Sequence, residues 1–161
     1  MRKLLLLGAM SACVLGAASG QEPAKPTPPA AGNAGKDFNG VWAPVSVVYG
    51  GAEMMPTAES RESIRLSVAN GVYSLFHVVD PKEGTGRRLA TAAFDADAKA
   101  GTFVLTFQGG VKDGQKVHGV FELKGDDLKL CYTADANPKP AKFESAKGAD
   151  VFNETWKRGK K

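Results

Sequence analysis

The stretch Gly119–Tyr132, GVFELKGDDLKLCY, decides how this chain is read. Two apolar-alternating runs, Val117-Gly119-Phe121-Leu123 and Leu128-Leu130-Tyr132, flank the polar break Lys124-Gly125-Asp126-Asp127. Alternation of period two on both sides of a short glycine-containing break predicts a β-hairpin. Phe121 and Leu123 on one arm share a face with Leu128 and Leu130 on the other. Glu122 and Lys129 point the opposite way, as in a sheet packed on one side and wet on the other.

Upstream, the pattern repeats. Val41–Tyr49 reads as a strand, with Trp42 on one parity and Val45, Val47 and Tyr49 on the other. Pro44 lies between them, and a bulge or bend there would restore a common inward face. Met54–Glu62 is polar and reads as a loop or a short helical turn started by Pro56 and Thr57. Ile64–Val68 and Val72–Val79 flank Asn70-Gly71, a strong hairpin signal because both residues tolerate positive φ. The second arm is apolar on both parities, so either face can be the inner one. Arg87–Phe94 is a weaker strand, Asp95–Gly101 a polar loop and Thr102–Gln108 a clear strand.

Downstream, Thr133–Lys142 with Pro138 and Pro140 reads as a long connection, docking through Phe143. Val151–Arg158 is a last strand carrying Phe152 and Trp156. Eight short strands in sequence with no helical period predict an all-β barrel or sandwich. Closing the sheet removes its exposed edges, so the expectation is an eight-stranded antiparallel β-barrel in up-and-down order.

The first 37 residues differ in kind. Met1-Arg2-Lys3 is followed by the apolar run Leu4–Leu7 and small residues through Ser19-Gly20, the plan of a secretory signal peptide over residues 1–20. Cleavage after Ser19 or Gly20 would free a soluble chain. Met10-Ser11-Ala12-Cys13 also resembles a bacterial lipobox, which makes Cys13 a candidate lipidation site and the only link to a membrane. Residues 21–37 hold Pro23, Pro26, Pro28 and Pro29 and read as a disordered linker. The barrel domain is then residues 38–158, with a basic tail at 159–161. The expected location is the periplasm, cell envelope or extracellular space.

The formal charge of +4 falls to +2 once Arg2 and Lys3 leave with the leader. Acids and bases are mixed throughout, which argues against a nucleic-acid partner. Cys131 is then the sole cysteine, so no internal disulfide can help the fold, which must rest on its apolar core.

The order of motifs carries a resemblance. Phe38-Asn39-Gly40-Val41-Trp42 resembles the Gly-x-Trp opening of lipocalin-like barrels. The Gly119–Cys131 hairpin followed by Lys139-Pro140-x-x-Phe143 resembles an uncharacterised exported domain family expanded in planctomycetes, with Lys139 where that family usually has Arg. The resemblance covers residues 38–158 and implies a lipocalin-like barrel with no established activity. It also implies that Trp42 packs across the closed end under a basic side chain of the last strand, for which Arg158 is the candidate. Trp156 competes for that floor. Burial of an indole is worth about 2–3 kcal/mol and a covering cation about 0.5–2 more.

No constellation for catalysis emerges. His77 and His118 lie on different strands without companions at ligand spacing, so no metal or cofactor is expected. Asp95-Ala96-Asp97-Ala98-Lys99 opens like a calcium loop, but Lys99 stands where an oxygen ligand belongs, and it reads as a turn. Gly-x-Ser-x-Gly is absent, Cys131 reads as a buried inert thiol, and Asp126-Asp127 reads as turn chemistry. Gly84-x-Gly86 and Gly109-Gly110 lack the setting of a phosphate loop, and the sequon Asn153-Glu154-Thr155 falls in a strand. The reading is a noncatalytic barrel binding a small, largely apolar ligand, lined by Phe76, Phe103, Phe107, Phe121 and Tyr132. The alternative is a cell-envelope interaction module with a solid core, whose partner is a protein or polymer of the envelope.

Overall fold

A computed structural model describes residues 31–80, 85–133 and 139–159. The leader, Cys13, residues 21–30 of the proline-rich segment and Lys160-Lys161 lie outside those residues. The strands are β1 (Gly40–Tyr49), β2 (Ala52–Glu53), β3 (Ile64–Ala69), β4 (Val72–Asp80), β5 (Thr85–Asp97), β6 (Thr102–Phe107), β7 (Lys116–Lys124), β8 (Asp127–Thr133) and β9 (Val151–Arg158), with a short helix α1 (Ala58–Glu62). From β3 to β9 each strand pairs antiparallel with the next, and β1 pairs with both β3 and β9. The result is the closed eight-stranded up-and-down barrel expected from the alternation, with β2 as an extra strand outside it.

Closure depends on β1. Its pairing with β9 runs from Trp42↔Arg158 to Tyr49↔Phe152 and slips by one residue between Pro44 and Ser46. That bulge absorbs Val45, which is left 49% exposed, and brings Trp42 and Val47 to one inner face, both buried. The pairing with β3 stops at Trp42↔Leu66. The Val41 carbonyl accepts from Gly159 N, so alternation turns the Pro44 backbone toward the β3 side, where the ladder has ended. A proline costs no hydrogen bond there. Beyond the bulge β2 folds back along β1 in place of β3, and the Glu53 carboxylate accepts from Val47 N and Met55 N, each at 3.0 Å.

One connection departs from the sequence reading, and a second takes one of its two alternatives. β5 runs on to Asp97, through residues assigned above to a loop, because Asp95 and Asp97 occupy its outward parity opposite Val104 and Thr102. The weak contrast between alanine and aspartate hides that alternation. Within Met54–Glu62 the helical alternative holds for Ala58–Glu62. Thr57 caps it, with its hydroxyl accepting from Ser60 N and Ser60 Oγ accepting from Thr57 N.

The up-and-down order sends turns alternately to the two ends. One end gathers Asn70-Gly71, Gly101, Gly125-Asp126 and both termini of the barrel, and it is packed solid. Trp42 is fully buried there, its indole N–H donating to Phe38 O at 3.1 Å. The Arg158 guanidinium lies 4.2 Å from the Trp42 ring centroid, donates to the Asn39 and Asp37 carbonyls, and pairs with Asp126 at 3.2 Å. Trp156 is equally buried but lies one inward position further up β9. Gly32 N bonds Gly71 O and Asn33 N bonds Asp95 Oδ1, so chain ahead of Phe38 lies against this end too.

Edge-to-face contacts run upward from Phe38 through Phe94 and Phe103 to Tyr132, with centroids 5.1, 5.6 and 6.0 Å apart. Gly119 makes room for this column: a Cβ there would lie 2.5 Å from the Phe103 ring and 2.6 Å from the Cys131 carbonyl oxygen. Gly119→Ala is therefore expected to cost about 1–3 kcal/mol in urea unfolding, the usual penalty of overpacking a full core. An unchanged midpoint would mean that the ring shifts freely and the column is loose.

Candidate functional site

Among the described residues, the other end of the barrel is not filled. A cavity of about 270 Å³ lies between the inner faces of β1, β4, β8 and β9. Its apolar wall includes Val47, Leu75, Phe107 and Val117, and Met54 and Met55 reach it from the β1–β3 connection. Its polar groups are Tyr73, Tyr132, Glu154, the Trp156 indole and, at the rim, the Lys112 ammonium. Leu75, Ala90, Phe107 and Lys112 also border an open groove of about 660 Å³ between β5 and the β6–β7 loop. The groove exists because β6 pairs with β5 only from Ala92 onward, leaving the start of β5 attached mainly to β4.

Glu154 is the unusual member. It sits in β9 between Phe152 and Trp156 on the inward parity, opposite Leu130 of β8 and Val47 of β1, and is only 5% exposed. Tyr132 donates to its Oε1 at 2.7 Å and the Trp156 indole N–H to its Oε2 at 2.9 Å. Burial pushes its carboxyl above the usual carboxylate range, against the pull of those two donors, and no cationic side chain among the described residues acts on it. Burial, with the Glu154 charge nearby, also holds the Tyr73 and Tyr132 phenols well above their ordinary range. Lys112 lies exposed at the rim, its ammonium 5.7 Å from the Phe107 ring centroid.

Of the residues expected to line a ligand, Phe107 and Tyr132 border this cavity. Phe103 is buried in the aromatic column instead, and Phe121 packs edge-on against Phe38 at 5.0 Å. Phe76 stands beside the Arg88 guanidinium, 5.5 Å away, and borders neither cavity. The reason lies in β4, whose two apolar parities hid the inner face: Tyr73 and Leu75 turn inward, so Phe76 turns out. Trp42 and Arg158 lie at the closed end, away from the cavity.

Sequence reasoning did not place Glu154, Tyr73 or Trp156 at a cavity. The signal was present for the first: an acid whose neighbours two residues away on both sides are Phe152 and Trp156 is on the packed face of its strand.

Cys131, Asn153, Asp97 and Asp127 serve the scaffold. Cys131 is buried on the outer face beneath Lys142–Glu144, its Sγ 3.3 Å from the Lys142 carbonyl oxygen, and burial raises its thiol. The Asn153 side chain donates to Phe143 O at 2.9 Å. Asp97 Oδ1 accepts from Lys99 N and Ala100 N, and Asp127 pairs with Lys157 at 2.9 Å. Among the described residues no group of three His, Cys, Asp or Glu side chains could hold a metal ion, and no helix is long and apolar enough to cross a membrane.

In comparisons with known proteins, the chain matches no protein-family model and no curated protein sequence.

The raised Glu154 has a sign that can be measured. The folded state holds this proton to a higher pH than the unfolded chain, whose carboxyl titrates near 4.5. Its contribution to stability is thus present below that pH and lost as pH rises through the folded value. Burial raises Tyr73, Tyr132 and Cys131, which leaves that window to Glu154. In thermal melts, Glu154→Gln is expected to gain on the unmodified protein as pH is raised from 4.5. A difference that stays constant with pH would show that Glu154 is not held protonated by burial.

Proposed function

We propose that this protein is a noncatalytic, exported β-barrel that binds a small, largely apolar ligand in its open half. The cavity carries the reading. At about 270 Å³ it falls at the lower edge of the roughly 300–1,000 Å³ usual for small-molecule sites, and it combines apolar walls with a few convergent polar groups. Its size suits a compact ligand rather than a long acyl chain, and the groove beside β5 supplies an entry route.

The leader-like segment at residues 1–20 supports export, and the hairpin's resemblance to the exported planctomycete family, lipocalin-like in fold, supports the same placement. Cys13 would decide whether the domain is tethered to a membrane. A filled interior would favour docking to an envelope protein or polymer; the cavity weighs toward a small ligand.

Native mass spectrometry and thermal shift with 2-phenylethanol and cyclohexanol test the reading. One-to-one complexes and a raised melting temperature are expected, with Kd below about 1 mM, the affinity worth about 4 kcal/mol. Ala90 lines both the cavity and the groove. Ala90→Trp, with circular dichroism unchanged, is expected to weaken binding about tenfold by blocking that passage. If neither compound binds, or if the blocked variant binds as well as the unmodified protein, the barrel is not a receptor through this cavity.

A further inference from the structure

Resting on that reading, we infer that the ligand is an organic amine, a compact apolar body carrying an ammonium group that pairs with Glu154 inside the barrel. Three features of the cavity point there together. A carboxylate opens onto it from a site 95% removed from solvent, the complement of its 5% exposure. The neighbours that touch it, Tyr132 and Trp156, are neutral donors, and no cation from the described residues acts on it. The remaining walls near it present aromatic rings, Tyr73, Tyr132, Phe152 and Trp156, whose faces attract a cation.

The energetic logic favours a cation over a neutral guest. A carboxylate in water must be stripped of its hydration before it pairs with an ammonium group, and that cost often cancels the attraction. At Glu154 the fold has already stripped it. Tyr132 and Trp156 hold the carboxylate in place with one hydrogen bond on each oxygen, and each oxygen keeps a lone pair to accept another. An incoming ammonium therefore loses only its own water and meets a fixed anion in a low-dielectric site. An anionic ligand would meet Glu154 as a like charge. A neutral alcohol would gain a hydrogen bond without relieving the buried charge. Lys112 does not fill the role of internal partner, since it is exposed at the rim.

The titratable and charged groups around Glu154 are Tyr73 from β4, Tyr132 and Cys131 from β8, and Lys112 from the β6–β7 loop. Burial raises the first three, so they stay neutral while Glu154 titrates.

The experiment compares phenethylamine with its neutral counterpart 2-phenylethanol and its anionic one, 3-phenylpropanoate, by calorimetry on the purified protein and on Glu154→Gln. Phenethylamine is expected to bind about ten- to hundredfold more tightly than 2-phenylethanol, as one charge-assisted hydrogen bond in a buried site allows. In Glu154→Gln that preference for the amine over 2-phenylethanol is expected to disappear. The unmodified protein supplies an independent readout should the variant fold poorly. Amine affinity is expected to climb as pH rises from 4.5 and Glu154 loses its proton, whereas 2-phenylethanol affinity stays flat. Equal or tighter binding of 2-phenylethanol or 3-phenylpropanoate, or a flat amine profile, overturns the amine assignment and leaves the apolar-ligand reading standing. Failure of all three probes to bind overturns both.

Discussion

The constraint on which this structure rests is that β1 must close the barrel against β9 while turning both Trp42 and Val47 inward. Those residues are five apart, an odd separation that puts them on opposite faces of a regular strand. The single-residue slip between Pro44 and Ser46 reconciles the two demands. Without it, either Trp42 leaves the closed end or Val47 and Tyr49 leave the open half, and the seven residue pairs joining β1 to β9 lose a consistent inner face. The hydrogen bonds that such a bulge disrupts are recovered locally. Glu53 accepts from the Val47 amide, and Met54 N donates to Val47 O.

From that closure follows a division of the interior. The closed half is filled by Trp42, Phe38, Phe94 and Phe103 and by the leucines of β3, β6 and β8, with Arg158 covering the floor. The open half receives the longer connections, and among the described residues a cavity of about 270 Å³ remains there. Burying an unpaired carboxylate is costly, and a Leu at position 154 would pack against Leu130 and Val47 without that cost. The aromatic stack continues past the site, from Tyr132 to Phe152 at 5.2 Å and on to Tyr49 at 4.5 Å, with Tyr49 donating to Asp150. It ties the wall of the cavity to the segment that covers the outside of β8 and β9. The polar group is thus held within a continuous aromatic frame, and a buried acid with a raised pKa in a cleft is a candidate functional group.

The hairpin Gly119–Tyr132, the Asn70-Gly71 turn and the parity break at Pro44 were all legible, because each is a local pattern whose meaning depends on few residues. β5 beyond Phe94 was not, since alanine against aspartate gives little contrast. The inner face of β4 was not either, because both its parities are apolar and only pairing with β3 and β5 chooses between them.

What the sequence by itself determined is the number and order of the eight barrel strands, the closed up-and-down barrel and the glycine and proline positions that permit its turns and its bulge. Those follow from alternation and backbone conformation, which are properties of neighbouring residues. Only the tertiary structure decided that Tyr73, Tyr132, Glu154 and Trp156 share one unfilled space. They lie on three strands and up to 83 positions apart, between Tyr73 and Trp156. Their meeting depends on the register in which the sheet closes on itself, and that register is set by packing across the whole barrel.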